Sequence, residues 1–129
     1  MALILVIDDD GFYRNVIGGL LGGAGHAVIE AENGKEGVAA YRDRHPDLVI
    51  VDLFLPDIDG CEVMQEILAE DRQARLIAIS GQAALYDAEL ARTVKAMGAA
   101  AILRKLDSKD RVLAEIDWVL KAPPAQRAS

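Results

Sequence analysis

Pro46-Asp47-Leu48-Val49-Ile50-Val51-Asp52 places four consecutive apolar residues between a proline turn and a carboxylate. The apolar run is unbroken rather than alternating, which is the pattern of a strand covered on both faces. The same shape recurs on either side of it. Leu3-Ile4-Leu5-Val6-Ile7 runs into Asp8-Asp9-Asp10, Leu76-Ile77-Ala78-Ile79 into Ser80-Gly81, and Ala100-Ala101-Ile102-Leu103 into Arg104-Lys105. Ala27-Val28-Ile29 is a shorter fifth run.

Between the runs the apolar spacing becomes helical. Phe12, Val16, Leu20 and Ala24 form one row, and Tyr13, Ile17 and Leu21 a second. Cys61, Met64 and Leu68 suit a helix after the third strand, Ala88, Ala91 and Val94 a fourth, and Val112, Ile116 and Val119 a last one. Asn33 reads as an N-cap with Glu36 at the capping-box position, Asp10 and Ser108 as further caps, and Gly25 and Gly98 as helix stops. Gly18, Gly19, Gly22 and Gly23 in the first helix are read as allowing close packing on the sheet. Tyr41 and Trp118 are read as packing residues on helices. Five strand–helix pairs in strict alternation predict an α/β fold, a parallel sheet with helices on both faces.

The whole chain of 129 residues is the size of one domain, with 52% hydrophobic residues for its core. Residues 1–121 are expected to form it. The tail 122–129, with Pro123-Pro124, is expected to be mobile. The formal net charge of −7 argues against a nucleic-acid surface and against docking on an anionic membrane. One cysteine, Cys61, permits no internal disulfide and reads as a small hydrophobe on a helix. No signal peptide and no stretch of membrane-spanning length is present, so a cytoplasmic protein is expected.

In an open parallel sheet, ligands bind beyond the carboxyl ends of the strands, where the strand order reverses. Those ends here carry Asp8, Asp9, Asp52, Ser80 and Lys105. Clustered carboxylates repel one another unless a cation neutralises them, and oxygen ligands favour Mg²⁺, Mn²⁺ or Ca²⁺. Such a set suits phosphoryl chemistry: a carboxylate nucleophile, a hydroxyl donor, and a metal and a lysine to balance charge.

Ile4-Leu5-Val6-Ile7-Asp8-Asp9, Pro46 to Asp52, Leu55-Pro56-Asp57-Ile58-Asp59-Gly60, Ser80-Gly81 and Lys105 together resemble the receiver family of response regulators, of the chemotaxis-regulator type. Order and spacing fit from about residue 2 to residue 120. The resemblance implies a flavodoxin-like (βα)5 domain serving as a phosphoacceptor switch in a two-component phosphorelay. It implies Asp52 as the phosphoacceptor, and Asp8, Asp9, Asp52 and the backbone carbonyl of Phe54 as ligands of Mg²⁺ (or Mn²⁺). It implies Ser80 as a hydroxyl that turns toward the phosphoryl group and Lys105 as the lysine that contacts it. The implied partners are a sensor histidine kinase or histidine phosphotransfer protein and a separate downstream effector, met as a monomer or weak dimer. The signal would leave through the fourth helix, fifth strand and fifth helix.

Three positions depart from the family pattern. Leu106 follows Lys105 where a cis proline is usual; a non-proline cis bond costs about 2.5–4 kcal/mol, so a trans bond is predicted. Ile102 stands where an aromatic switch residue is common, and Ser80 replaces threonine. Leu106 and Ile102 favour an alternative reading, an unphosphorylated docking or dimerisation module; the intact acidic set opposes it. Asp57-Ile58-Asp59-Gly60 resembles a phosphatase motif, but Pro56 separates it from the strand that motif requires.

Overall fold

Each apolar run forms a strand: β1 (Leu3–Ile7), β2 (Ala27–Ala31), β3 (Leu48–Asp52), β4 (Leu76–Ser80) and β5 (Ala101–Arg104). The computed structural model of the chain describes residues 1–81 and 88–122, so 123–129, nearly all of the tail expected to be mobile, lies outside the described residues. The strands pair in parallel in the order β2-β1-β3-β4-β5. Val6 sits opposite Ile50, and Asp52 opposite Ile79. Between them lie α1 (Gly11–Gly23), α2 (Gly34–Arg44), α3 (Gly60–Glu70), α4 (Ala88–Ala96) and, last, α5 (Lys109–Lys121). This is the flavodoxin-like (βα)5 architecture.

Strand side chains alternate between the two faces of the sheet. Leu5, Ile7, Val49, Val51 and Ala78 pack with Val38 and Tyr41 of α2, Met64 and Ile67 of α3, and Val94 of α4. Ile4, Val6, Ile50, Ile77 and Ile79 pack with Ile17 and Leu21 of α1 and with Val112, Ile116 and Val119 of α5. Both faces are therefore covered, which is why the strand sequences do not alternate. Each fully buried aliphatic side chain contributes roughly 1.5–3 kcal/mol.

The expected caps form. Asp10 accepts from the N–H groups of Phe12 and Tyr13, Asn33 from Glu36, and Ser108 from Arg111. The Asn33 side-chain amide also donates to Glu36 Oε2 at 2.6 Å. Asp59 caps α3 in the same way. Gly25 and Gly98 end their helices at φ +92° and +122°, a backbone region that favours glycine. Cys61 is half-buried against the α2–α3–α4 core, and burial first, then the Asp59 charge, push its thiol pKa up.

The helical spacings form α1 and α4, whose buried faces the packing selects, and two readings are corrected, those of Trp118 and of the α1 glycines. In α1 the Tyr13, Ile17 and Leu21 row turns toward the sheet, with Leu20 of the other row partly buried beside it, while Phe12 and Val16 are exposed. In α4, Ala88 is exposed and Leu90 joins Val94 against the core. Trp118 is 58% exposed, because the buried stripe of α5 runs through Val112, Ile116 and Val119 and leaves position 118 outside it. Tyr41, by contrast, is buried and donates its hydroxyl to Asp71 Oδ2 at 2.7 Å. The α1 glycines do not serve close packing. A Cβ at Gly18, Gly19, Gly22 or Gly23 would meet no heavy atom within 4 Å. Gly19 and Gly23 instead line a groove of about 540 Å³ with Val16, Leu20 and Leu113.

Candidate functional site: a three-carboxylate pocket with one lysine

The reversal of strand order falls between β1 and β3, and both strands end there in acid. Asp8 follows β1 directly and is fully buried; Asp52 ends β3 and is 4% exposed. Asp9 is exposed at the rim, yet one carboxylate oxygen each from Asp8, Asp9 and Asp52 lie within 4.8 Å of one another. Lys105, immediately after β5, reaches across to them. Its Nζ stands 2.8 Å from Asp8 Oδ2 and 3.2 Å from Asp52 Oδ2. Ser80 is buried at the end of β4, one residue beyond the partner of Asp52.

Backbone groups fix the acids. Asp8 Oδ1 accepts from the Asp10 N–H and Asp52 Oδ1 from the Phe54 N–H, each at 3.0 Å. The Lys105 N–H donates to the Ser80 carbonyl at 3.1 Å, tying the lysine loop to β4. The peptide bonds of the described residues are all trans, including the one between Lys105 and Leu106, as Leu106 predicts. Gly60 lets α3 start hard against the β3 end. A Cβ there would overlap the Asp52 carbonyl oxygen and come within 2.6 Å of Leu53 Cα.

Burial, and secondarily the Asp8 charge, push the Asp52 pKa up to about 6, with the Phe54 N–H and Lys105 opposing. For Lys105 burial acts downward, but the hydrogen bond and charge of Asp8 and the charge of Asp52 outweigh it and hold its pKa above the usual lysine range.

The fit to a divalent cation can be judged from charge and from the buried Asp8 carboxylate. Three carboxylates face one ammonium, which leaves two negative charges uncompensated in a largely buried pocket. Asp8 Oδ2 is fully buried, and among the described residues its contact is the Lys105 ammonium at 2.8 Å, which Asp52 shares. An all-oxygen set of this charge suits a hard cation such as Mg²⁺.

A family model for the response regulator receiver domain matches residues 4–117. The chain belongs to the response regulator receiver family. The receiver is 38% identical over 121 residues to chemotaxis protein CheY of Bacillus subtilis, covering 91% of this chain and 96% of that protein. It is 36% identical over 121 residues to CheY of Halobacterium salinarum, covering 92% and 97%. Among solved structures, the CheY-like receiver domain protein of Methanospirillum hungatei superposes with a TM-score of 0.82 at 25% identity, covering 93% of this chain and 94% of that one. NtrX of Brucella abortus superposes with a TM-score of 0.87 at 29% identity; it covers 98% of this chain, which spans 28% of NtrX. The receiver is thus a signalling domain of the two-component type rather than a classical enzyme. Among the described residues no helix is long and apolar enough to cross a membrane.

Asp8, Asp9, Asp52, Ser80 and Lys105, each expected at the site from the sequence, converge at this one sheet edge. The Phe54 side chain is 48% exposed, and its N–H is what contacts the acidic cluster. Three contributors escaped the sequence reading. Tyr13, read only as a member of a packing row, lies with its ring centroid 4.9 Å from Lys105 Nζ. Arg14 donates from Nη1 to the Asp8 carbonyl at 2.6 Å and pairs with Glu30 at 3.1 Å. Asp57 accepts from the N–H groups of Gly34 and Lys35 and so anchors α2 to the loop after β3. These bonds, Gly34 first, pull the Asp57 pKa down to about 2. The only local signal was the conspicuous Asp57-Ile58-Asp59-Gly60 string.

Proposed function

We propose that this receiver takes a phosphoryl group onto Asp52 from a phosphohistidine on a sensor kinase or phosphotransfer protein. The observation that carries the reading is the Lys105 ammonium set between Asp8 and Asp52 inside the three-carboxylate cluster. An Asp52 carboxylate oxygen attacks phosphorus, the N–P bond of the donor breaks, and its electron pair stays on the imidazole nitrogen. Lys105 then leaves its ion pair with Asp52 and faces the phosphoryl oxygens, while Ser80 turns its hydroxyl toward one of them. Asp8, Asp9, Asp52 and the Phe54 carbonyl would hold Mg²⁺ or Mn²⁺. When bound, that ion supplies the positive charge that neutralises the phosphoryl oxygens.

Phosphorylation adds roughly −1.5 to −2 charge in place of a carboxylate's own. The changed balance at the ends of β4 and β5 is transmitted to the face formed by α4, β5 and α5, where a separate effector reads it. The exposed Trp118 and half-buried Ile102 lie on that face, lining a groove with Lys95 and Arg111.

The test is intact-protein mass after incubation with acetyl phosphate, with and without Mg²⁺, beside Asp52→Asn. A Mg²⁺-dependent phosphoryl adduct absent from the variant is expected. Absence of an adduct, with acetyl phosphate and then with a phosphohistidine donor, would overturn the reading in favour of an unphosphorylated docking or dimerisation module.

A further inference from the structure

The geometry points to Tyr13 as a positioning residue for Lys105: its ring face holds the ammonium over the pocket when the lysine's carboxylate partners change. This rests on the phosphoacceptor reading of the site.

The loop that carries Lys105 offers it little support. Leu106 beside it is 88% exposed. The turn is closed by contacts between Arg104 and Asp107 that do not touch the lysine side chain: Arg104 N–H to Asp107 Oδ2 at 2.8 Å and Asp107 N–H to the Arg104 carbonyl at 3.0 Å. The Lys105 side chain is nonetheless only 18% exposed. Among the described residues its ammonium meets Asp8, Asp52 and the Tyr13 ring, and its stem runs beside Gly81, where an added Cβ would lie 3.4 Å from Lys105 Cδ. The two carboxylate contacts are the ones that phosphoryl transfer rearranges. Among the described residues only the Tyr13 ring both attracts the ammonium, through its electron-rich face, and lies outside the reacting set. The Tyr13 backbone is anchored in the first turn of α1, where its N–H donates to the Asp10 cap at 3.3 Å, and its side chain packs against the α1–α5 core. A cavity of about 60 Å³ adjoins it, lined in part by Ile17, Asp107 and Val112, so without the ring the lysine has space to swing out of the pocket.

The experiment compares Tyr13→Phe, which keeps the ring, with Tyr13→Leu, which keeps bulk and helix propensity but loses it. Phosphorylation by acetyl phosphate at saturating Mg²⁺ should slow about fivefold in Tyr13→Leu and stay within about twofold in Tyr13→Phe. A second readout needs neither donor nor metal. The Lys105 methylene protons next to Nζ should be shifted upfield by the ring current in the wild type and in Tyr13→Phe. In Tyr13→Leu they should resonate with the exposed lysines. Wild-type methylenes already at the exposed-lysine position would overturn the proposal, even if the leucine variant failed to fold. So would a Tyr13→Leu rate equal to the wild type, or a Tyr13→Phe rate as low as that of Tyr13→Leu. If the wild type itself took no phosphoryl group, the functional reading would fail and this proposal with it. That outcome is distinct from a phosphorylated protein indifferent to position 13.

Discussion

Replacing Gly18, Gly19 and Gly22 together by alanine should stabilise this receiver. All three lie inside α1, and among the glycines only Gly25 and Gly98 have positive φ, so alanine fits the α1 backbone without strain. An added Cβ at any of the three meets no heavy atom within 4 Å, so there is no steric cost to subtract. What remains is helix propensity, about 0.8–1 kcal/mol for each interior glycine replaced by alanine, much of it from lower entropy of the unfolded chain. The three methyl groups point into open space and should add nearly independently, for a total of about 2–3 kcal/mol. In a chain of this length 1 kcal/mol corresponds to roughly 3–5 °C, so the melting midpoint should rise by about 6–15 °C. Urea unfolding should show a higher midpoint at unchanged slope. A triple variant no more stable than the wild type would refute the reasoning and mean that something in the fold requires these positions bare. Gly60→Ala is the opposite control, because its Cβ would press on Leu53 Cα at 2.6 Å. It should lose about 1–3 kcal/mol by overpacking and displace the loop that carries the Phe54 N–H.

The acidic pocket makes a pH prediction. In EDTA the Asp52 carboxyl carbon should titrate near pH 6, above the ordinary value of 3.8. A folded-state pKa raised in this way means that the fold favours the uncharged acid. The contribution of Asp52 to stability is therefore fully present below about pH 4 and is lost as pH rises through 6. Asp8→Asn should move that titration down by removing a neighbouring charge; a titration unmoved by the substitution would count against the close pairing. Leu106→Ala should change stability by less than about 0.5 kcal/mol, since the side chain is 88% exposed. It should also leave phosphorylation intact, as a mass assay would show. Trp118, the sole tryptophan, should emit as a solvent-exposed indole and be quenched by acrylamide, and an effector that covers the α4–β5–α5 face should protect it.

The sequence by itself determined the architecture of this protein. Unbroken runs such as Leu48 to Val51 can be stable only as strands covered on both faces, and helical rows between them leave little but a parallel sheet. It also determined the list of chemical groups, because in such a sheet whatever follows each strand must gather at one edge: Asp8, Asp9, Asp52, Ser80 and Lys105. Capping was legible too, since Asp10, Asn33 and Ser108 act on N–H groups two or three residues away. Only the tertiary structure decided which row of α1 faces the sheet, because Phe12–Val16 and Tyr13–Ile17 have the same spacing and differ only in where the β1 and β5 surfaces lie. For the same reason it alone showed that Trp118 is exposed and that the α1 glycines face open space. It alone placed the Tyr13 ring under Lys105, 92 residues further along the chain, and set Asp57 on the first N–H groups of α2. Local pattern fixes what a residue does within its own turn or strand. Contacts between elements depend on how two surfaces meet, and spacing along the chain does not encode that.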